Sequence, residues 1–286
     1  MTATRRSPVP RGHFPAGPWA PPPALVVVAH GSRDPRALRT VGALLDRVRQ
    51  QRPGLPVHLG HIELNEPLLP ATLASLGTAD AVLVPLLLSR GYHIKRDIPE
   101  AAAKSAVRAR VAGALGPHPL LVDALCARLA EAGWRTPTND PTNDPTNDPA
   151  DDPADDPADE ETRRSSAVVL AAAGSRDPES RVDTGRTARL LAERLGVPVV
   201  PAYASTAAPT VPDAVRALAA SGRHRVAVAS YFTAPGRFAT ECAEAAPWIA
   251  SAPLGTHPAM ARLVLHRYDQ ALATRATTSG PALASA

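Results

Sequence analysis

Residues Ala24–Pro35 read ALVVVAHGSRDP, and Ala172–Pro178 read AAGSRDP. A continuous run of Val and Leu with no polar alternation is the pattern of a short strand buried on both faces. The Gly-Ser-Arg-Asp-Pro that follows predicts a turn into a helix. Ser32 or Asp34 can cap that helix, and Pro35 suits its first position, where an amide hydrogen would go unused. Outward from this stretch the chain keeps alternating. LRTVGALLDRVRQQ has a helical pattern, LPVHLGHIEL an extended one, LLPATLASL a helical one, AVLVPLLL an extended one and IPEAAAKSAVRARVA a helical one. Strands alternating with helices predict right-handed crossovers and a parallel sheet flanked by helices, an α/β domain of three layers. In such sheets ligands collect beyond the carboxyl ends of the strands.

The second GSRDP belongs to a longer echo. GHIELNEPLLPATLASL from Gly60 corresponds to AYASTAAPTVPDAVRAL from Ala202, with Pro67 opposite Pro209 and Pro70 opposite Pro212. VPLLLSRGYHIKRDIPEAA from Val84 corresponds to ASYFTAPGRFATECAEAA from Ala229, with Gly91 opposite Gly236. LGPHP from Leu115 matches LGTHP from Leu254. Four blocks in one order predict two tandem domains that arose by internal duplication. The expected organisation is a disordered proline-rich N-terminus (1–23), a first domain (24–135) carrying the catalytic residues, an acidic repeat linker (136–166), a degenerate second domain (167–273) and a disordered tail (274–286).

The chain has 286 residues, 32 of them proline, with 3% aromatic residues and a formal net charge of +4. That charge conceals a split. Thr136 to Thr162 reads TPTNDPTNDPTNDPADDPADDPADEET and holds 10 of the 27 acidic residues and no Lys or Arg. The remainder sets 31 basic against 17 acidic residues, an excess of +14. Such an excess suits an anionic ligand. The basic residues form no block and have few aromatics among them, which argues against nucleic acid as the partner. No apolar run approaches the ~18 to 20 residues of a membrane span, and the first residues lack the apolar segment of a signal peptide, so a cytoplasmic protein is expected. Cys126 and Cys242 are the two cysteines; without clustered thiols, neither a thiolate zinc site nor an iron–sulfur cluster is expected. No GxxxxGK[ST] phosphate loop is present, so no nucleotide is expected.

The duplication sorts folding residues from functional ones. GSRDP is kept in both halves, but His30 faces Ala173, Glu63 faces Ser205 and His93 faces Phe238. His118 and His257 are shared, which assigns them to structure. His30, Glu63 and His93 follow three different apolar strands, so the first half alone carries a His-Glu-His constellation. Two imidazoles and a carboxylate can hold a borderline divalent ion while leaving positions open, and imidazole can also take up protons near neutral pH. His61 lies two residues before Glu63 on the same strand, and nothing further supports it as a metal ligand.

AHGSRDP at the first strand end, IE followed by P-x-x-P at the second and VPLLLSRGYHIKRDIP further on together resemble the sirohydrochlorin chelatase family, the class II chelatases of siroheme and cobalamin synthesis. The resemblance covers roughly Ala24 to Gly133 and Ala167 to Asp269. It implies a lyase that inserts Fe2+ or Co2+ into sirohydrochlorin without ATP, Fe2+ being favoured by a small margin, in a cleft between two parallel-sheet domains. Carried over by position, His30 and His93 handle the metal and Glu63 assists. Arg33, Arg90, Lys95 and Arg96 are expected to pair with the carboxylates that ring the macrocycle. The second half, with Tyr231, Phe232, Arg237 and Phe238, is expected to wall the cleft. A monomer or a homodimer fits this plan. The alternative is a tetrapyrrole or metal carrier using the same histidines without turnover.

Overall fold

The computed structural model describes residues 22–135 and 157–278. The expectations for most of the proline-rich N-terminus, for the TNDP and ADDP repeat and for the last eight residues lie outside the described residues.

The first half runs β1 (Ala24–Ala29), α1 (Pro35–Gln51), β2 (Val57–His61), α2 (Leu69–Ser75), β3 (Asp80–Pro85), a π turn (His93–Asp97), α3 (Ile98–Ala103), β4 (Arg108–Val111) and α4 (Pro119–Glu131). The second runs α5 (Pro157–Ser165), β5 (Ser166–Ala172), α6 (Pro178–Leu195), β6 (Val199–Tyr203), α7 (Val211–Ala220), β7 (Arg225–Ser230), α8 (Arg237–Glu244), β8 (Ile249–Ala250) and α9 (Pro258–Thr278). The strands form two parallel four-stranded sheets, in the orders β2-β1-β3-β4 and β6-β5-β7-β8. The α/β fold and its duplication are thus as the sequence indicates.

Each central strand is buried on both faces because it is apolar on both. Val26 and Val28 of β1 pack outward with Leu69 and Leu73 of α2 and Ile98 of α3, while Leu25 and Val27 face inward with Val41, Leu44 and Val48 of α1. The same division holds for β5: Val169 and Ala171 face α7 and α8, and Val168 and Leu170 join the inner core. That inner core is continuous across both halves. Leu121, Leu125 and Leu129 of α4, Leu191 and Leu195 of α6, and Met260 and Val264 of α9 all belong to it.

The last helices are exchanged. α9, which ends the second half, packs on β3 and α1 of the first; α4, which ends the first half, packs on α6 and β7 of the second. Polar contacts fix the exchange: Arg52 at the end of α1 makes a two-pronged pair with Asp269 of α9 at 2.5 and 2.7 Å, and the Tyr268 hydroxyl donates to the Pro23 carbonyl at 2.6 Å. Each half therefore completes its inner layer with a helix of the other.

The turn chemistry follows the shared motifs. Asp34 accepts from the Arg36 amide at 2.8 Å and Asp177 from the Glu179 amide at 3.0 Å, each capping a helix that starts with proline. Ser32 and Ser175 accept from the Asp34 and Asp177 amides. The preceding glycines have φ of +103° and +90°, and a Cβ there would lie 1.9 Å from the carbonyl oxygen of Glu63 or Ser205, so glycine is required twice over. His118 and His257 also cap: their Nδ1 atoms accept from the Leu120 and Ala259 amides at 3.1 and 3.2 Å. Among the described residues no helix is long and apolar enough to cross a membrane.

Three boundaries differ from expectation. IPEAAAKSAVRARVA is a helix only to Ala103 and then yields β4, because alternating Arg108–Val111 supplies the edge strand that β3 needs. The end of the expected linker, Pro157–Ser165, is helical and is stitched by Glu160 to Arg163 and Arg164 at i+3 and i+4, and β5 begins at Ser166. The expected tail is helical to Thr278, where α9 runs on.

A chain ending at Gly133 would lose α9 from its inner face. Burial of Met260, Leu263 and Val264 alone is worth ~1.5–3 kcal/mol each, against a total stability of ~5–15 kcal/mol for a domain. The truncated chain is expected to aggregate or to unfold without cooperativity; a monomer with a sharp denaturant transition would contradict the exchange. The capping histidines set a pH dependence. Burial, assisted by neighbouring positive charge, lowers both pKa values from 6.5, so the folded state keeps the rings neutral while the unfolded chain takes up protons. Stability from these caps is complete above about pH 6.5 and is lost as the pH falls through the lowered values. Replacing both with Asn, which also caps, is expected to flatten the fall in Tm between pH 7.5 and 5.5.

Candidate active site

The carboxyl ends of β1 and β3 meet those of β5 and β7 at a cleft of about 1370 Å³ between the halves. His30 follows β1 directly, Glu63 lies two residues beyond β2, and His93 opens the π turn after β3. The three residues that the second half lacks converge on the first-half side. The rings of His30 and His93 stand edge to face with centroids 4.9 Å apart, and His30 Nδ1 is 3.6 Å from Glu63 Oε1. The Glu63 amide donates to the His30 carbonyl at 3.1 Å, which ties the two loops by their backbones.

His93 has a partner that sequence reasoning missed. Its Nδ1 lies 2.6 Å from Asp97 Oδ2, one turn on. A carboxylate only accepts, so Nδ1 carries the hydrogen and the Nε2 lone pair of the neutral ring is left free. The wide turn, in which the Ile98 amide donates to the His93 carbonyl five residues back, brings the two side chains together. π turns often mark functional sites. The signal was in the sequence as His-x-x-x-Asp.

The other sites distribute as follows. Arg33 is exposed, lines the cleft and has no ion-pair partner among the described residues; Arg96 is also exposed and unpaired but is not part of the cleft lining. Arg90 and Lys95 are engaged. The Arg90 guanidinium donates to Asp183 at 2.7 and 2.9 Å and to Glu179 at 3.0 Å, and Lys95 Nζ lies 2.6 Å from both Asp177 and Glu179. Hydrogen bonding to these carboxylates raises both cations' pKa values. Burial pushes Asp183 up, but the Arg90 hydrogen bonds outweigh it and hold the carboxyl below its usual range. His61, at the end of β2, is 2% exposed; its Nδ1 faces the Pro67 carbonyl at 3.3 Å and its Nε2 has no hydrogen-bond partner among the described residues.

The walls are apolar. Leu38, Leu64 and Tyr92 are large apolar side chains left exposed, and all three line the cleft. Phe232, Phe238 and Arg237 line the opposite side, with the Arg237 guanidinium 4.7 Å from the Phe238 ring centre. Tyr231 is buried and spends its hydroxyl on the Leu88 carbonyl at 3.1 Å. Cys126 and Cys242 lie elsewhere, and burial raises both thiols to about 11, so neither is a thiolate at neutral pH. Among the described residues no three His, Cys, Asp or Glu side chains are grouped so as to hold a metal ion; the two imidazoles stand as a pair.

Duplicated parallel sheets facing each other across a cleft, with one-sided histidines, define a two-domain chelatase-like protein. The chain belongs to the CbiX family, whose model matches residues 24–132 and 167–271. Curated relatives include the sirohydrochlorin cobaltochelatase of Methanococcus aeolicus, 36% identical over 80 residues, which are 27% of this chain and 56% of the relative. Another is that of Sulfolobus acidocaldarius, 32% identical over 90 residues, 30% of this chain and 72% of the relative. The match thus spans about half the length of the first of these relatives. Among solved structures, SirB from Bacillus subtilis with Fe3+ superposes with a TM-score of 0.67 at 22% identity, covering 89% of this chain and 97% of that one. A SirB complex with cobalt gives 0.66 at 19% identity over the same shares. The fold is that of these solved structures.

Proposed function

We propose that the protein inserts a divalent metal ion into sirohydrochlorin, with His30, His93 and Glu63 as the working groups. The observation that carries this reading is the 4.9 Å approach of the two imidazoles beside Glu63, at the mouth of an interdomain cleft, in the one half that has them. The names of the curated relatives support the substrate and bring Co2+ forward as the first metal to assay beside Fe2+. The ligand set itself discriminates little between the two ions.

The macrocycle would lie between Leu38, Leu64 and Tyr92 on one wall and Phe232 and Phe238 on the other. Arg33 is the cation placed to pair with its carboxylates. Arg90 and Lys95 have carboxylate partners within the protein and Arg96 lies outside the cleft lining, which makes them weaker candidates for that rim. His93, with Nδ1 held by Asp97, offers Nε2 to the incoming ion, and His30 offers its free ring nitrogen from a ring whose centroid is 4.9 Å from that of His93. An open two-imidazole site suits a metal that must leave. As the ion forms four bonds to the pyrrole nitrogens, two N–H protons depart; the ring nitrogen of His30, once the ion has left it, and the carboxylate of Glu63 are placed to accept one each. The ion's own positive charge drives that loss, so no nucleotide is needed.

His93→Ala is expected to lower the rate of metal insertion at least ~100-fold while sirohydrochlorin affinity stays within a few-fold, and Glu63→Gln to lower the rate ~10-fold or more. Visible spectra recorded anaerobically with substoichiometric protein check both. Unchanged turnover in His93→Ala would refute the assignment, and tetrapyrrole binding without multiple turnovers would favour a carrier.

A further inference from the structure

The buried face of α6 is polar in its N-terminal turns, where that of its duplicate α1 is apolar. Ser180, Asp183, Thr184 and Thr187 occupy i, i+3, i+4 and i+7 and are each at most 4% exposed. At the matching positions α1 carries Ala37, Thr40, Val41 and Leu44. A polar stripe at core spacing costs stability unless every group is used.

Here the groups are used: Ser180 and Asp183 on one segment of the other half, and Thr184 and Thr187 on carbonyls of α6 itself. Asp183 accepts from the Arg90 amide at 2.9 Å as well as from its guanidinium. The Ser180 hydroxyl is 2.8 Å from that of Ser89. Thr187 meets the Tyr231 hydroxyl at 3.2 Å, and Tyr231 donates on to the Leu88 carbonyl. Asp177 and Glu179 at the start of α6 hold Lys95. Leu88, Ser89 and Arg90 before His93, and Lys95 after it, are therefore all gripped by the second half. The grip is one-sided: the duplicate of Arg90 is Pro235, that of Lys95 is Thr240, and that of Asp183 is Thr40.

We propose that the polar stripe of α6, centred on Asp183, is a positioning device that sets the His93 loop, so that the half without catalytic side chains acts on the reaction through the other. The inference rests on the reading of His93 as a metal-handling residue. The two halves then differ reciprocally: one has the histidines and the loop cations, the other lacks the histidines and has Asp183 and Glu179 where the first half has Thr40 and Arg36. Asp183 is a positioning residue, not a catalytic one. Its displacement reaches the ion through His93, and misplacements of about 1 Å cost on the order of 100-fold in rate.

The test uses the full chain in three forms: wild type, Asp183→Ala, and the double variant Arg90→Met with Asp183→Leu. The double variant removes the unpaired charge along with its partner, a change that often restores stability. Hydrogen exchange across residues 88–97, Tm, kcat and KM are measured on each. In Asp183→Ala, exchange of the Arg90 amide region is expected to rise ~10-fold or more, and kcat to fall ~10-fold or more with KM for the tetrapyrrole within about threefold. In the double variant Tm is expected to return close to wild type while exchange stays fast and kcat stays low. Unchanged exchange in Asp183→Ala, or a kcat that recovers together with Tm in the double variant, would overturn the proposal. Absence of turnover in the wild-type protein would instead refute the chelatase reading, and the exchange data would still decide whether α6 holds the loop.

Discussion

Every part of this molecule depends on the need to cover the inner face of two parallel sheets. β1, β3, β5 and β7 are apolar on both sides, and neither half supplies enough helix to cover its own. The exchange of α4 and α9 meets that need and couples the halves through one core. Because both sheets are parallel, that docking points two sets of strand ends at a common cleft. The cleft follows from the packing; its chemistry follows from the turns at the strand ends.

Duplication supplied those turns twice, and divergence then worked on what the turns carry. The glycines at +103° and +90°, the capping aspartates and the αL residues Leu64 and Thr206, at φ +67° and +57°, are common to both halves. They are the price of the fold. Where the first half bears His30, Glu63 and His93, the second bears Ala173, Ser205 and Phe238, and its wall is apolar and aromatic. A symmetric frame thereby holds an asymmetric site, with the two histidines and Glu63 on one wall only.

Much of this was legible beforehand, for physical reasons. Continuous Val and Leu runs declare strands covered on both sides, and block-by-block comparison of the halves isolates His30, Glu63 and His93, which the fold brings together. β4 was hidden because Arg108–Val111 follows a helix-favouring Ala-rich run with no glycine or proline between. The helix exchange was hidden because amphipathic spacing reports that a face is buried, not against what. The pairing of Arg90 and Lys95 was hidden for the same reason: their carboxylates lie about ninety residues away and across an interface. His61 shows the limit from the other side: its spacing matched Glu63, but β2 ends at His61, so the ring is buried while Glu63 stands in the open turn.

His30 and His93 are proposed to take the metal ion as a pair. The most direct measurement is a crystal of the full chain equilibrated with Co2+ anaerobically and analysed by anomalous diffraction at the cobalt edge. One principal peak is expected in the cleft, within about 2.1 Å of a ring nitrogen of each histidine, with His93 bound through Nε2 and its Nδ1 still on Asp97. A principal peak held by other side chains, with both rings more than hydrogen-bond distance from it, would contradict that pairing.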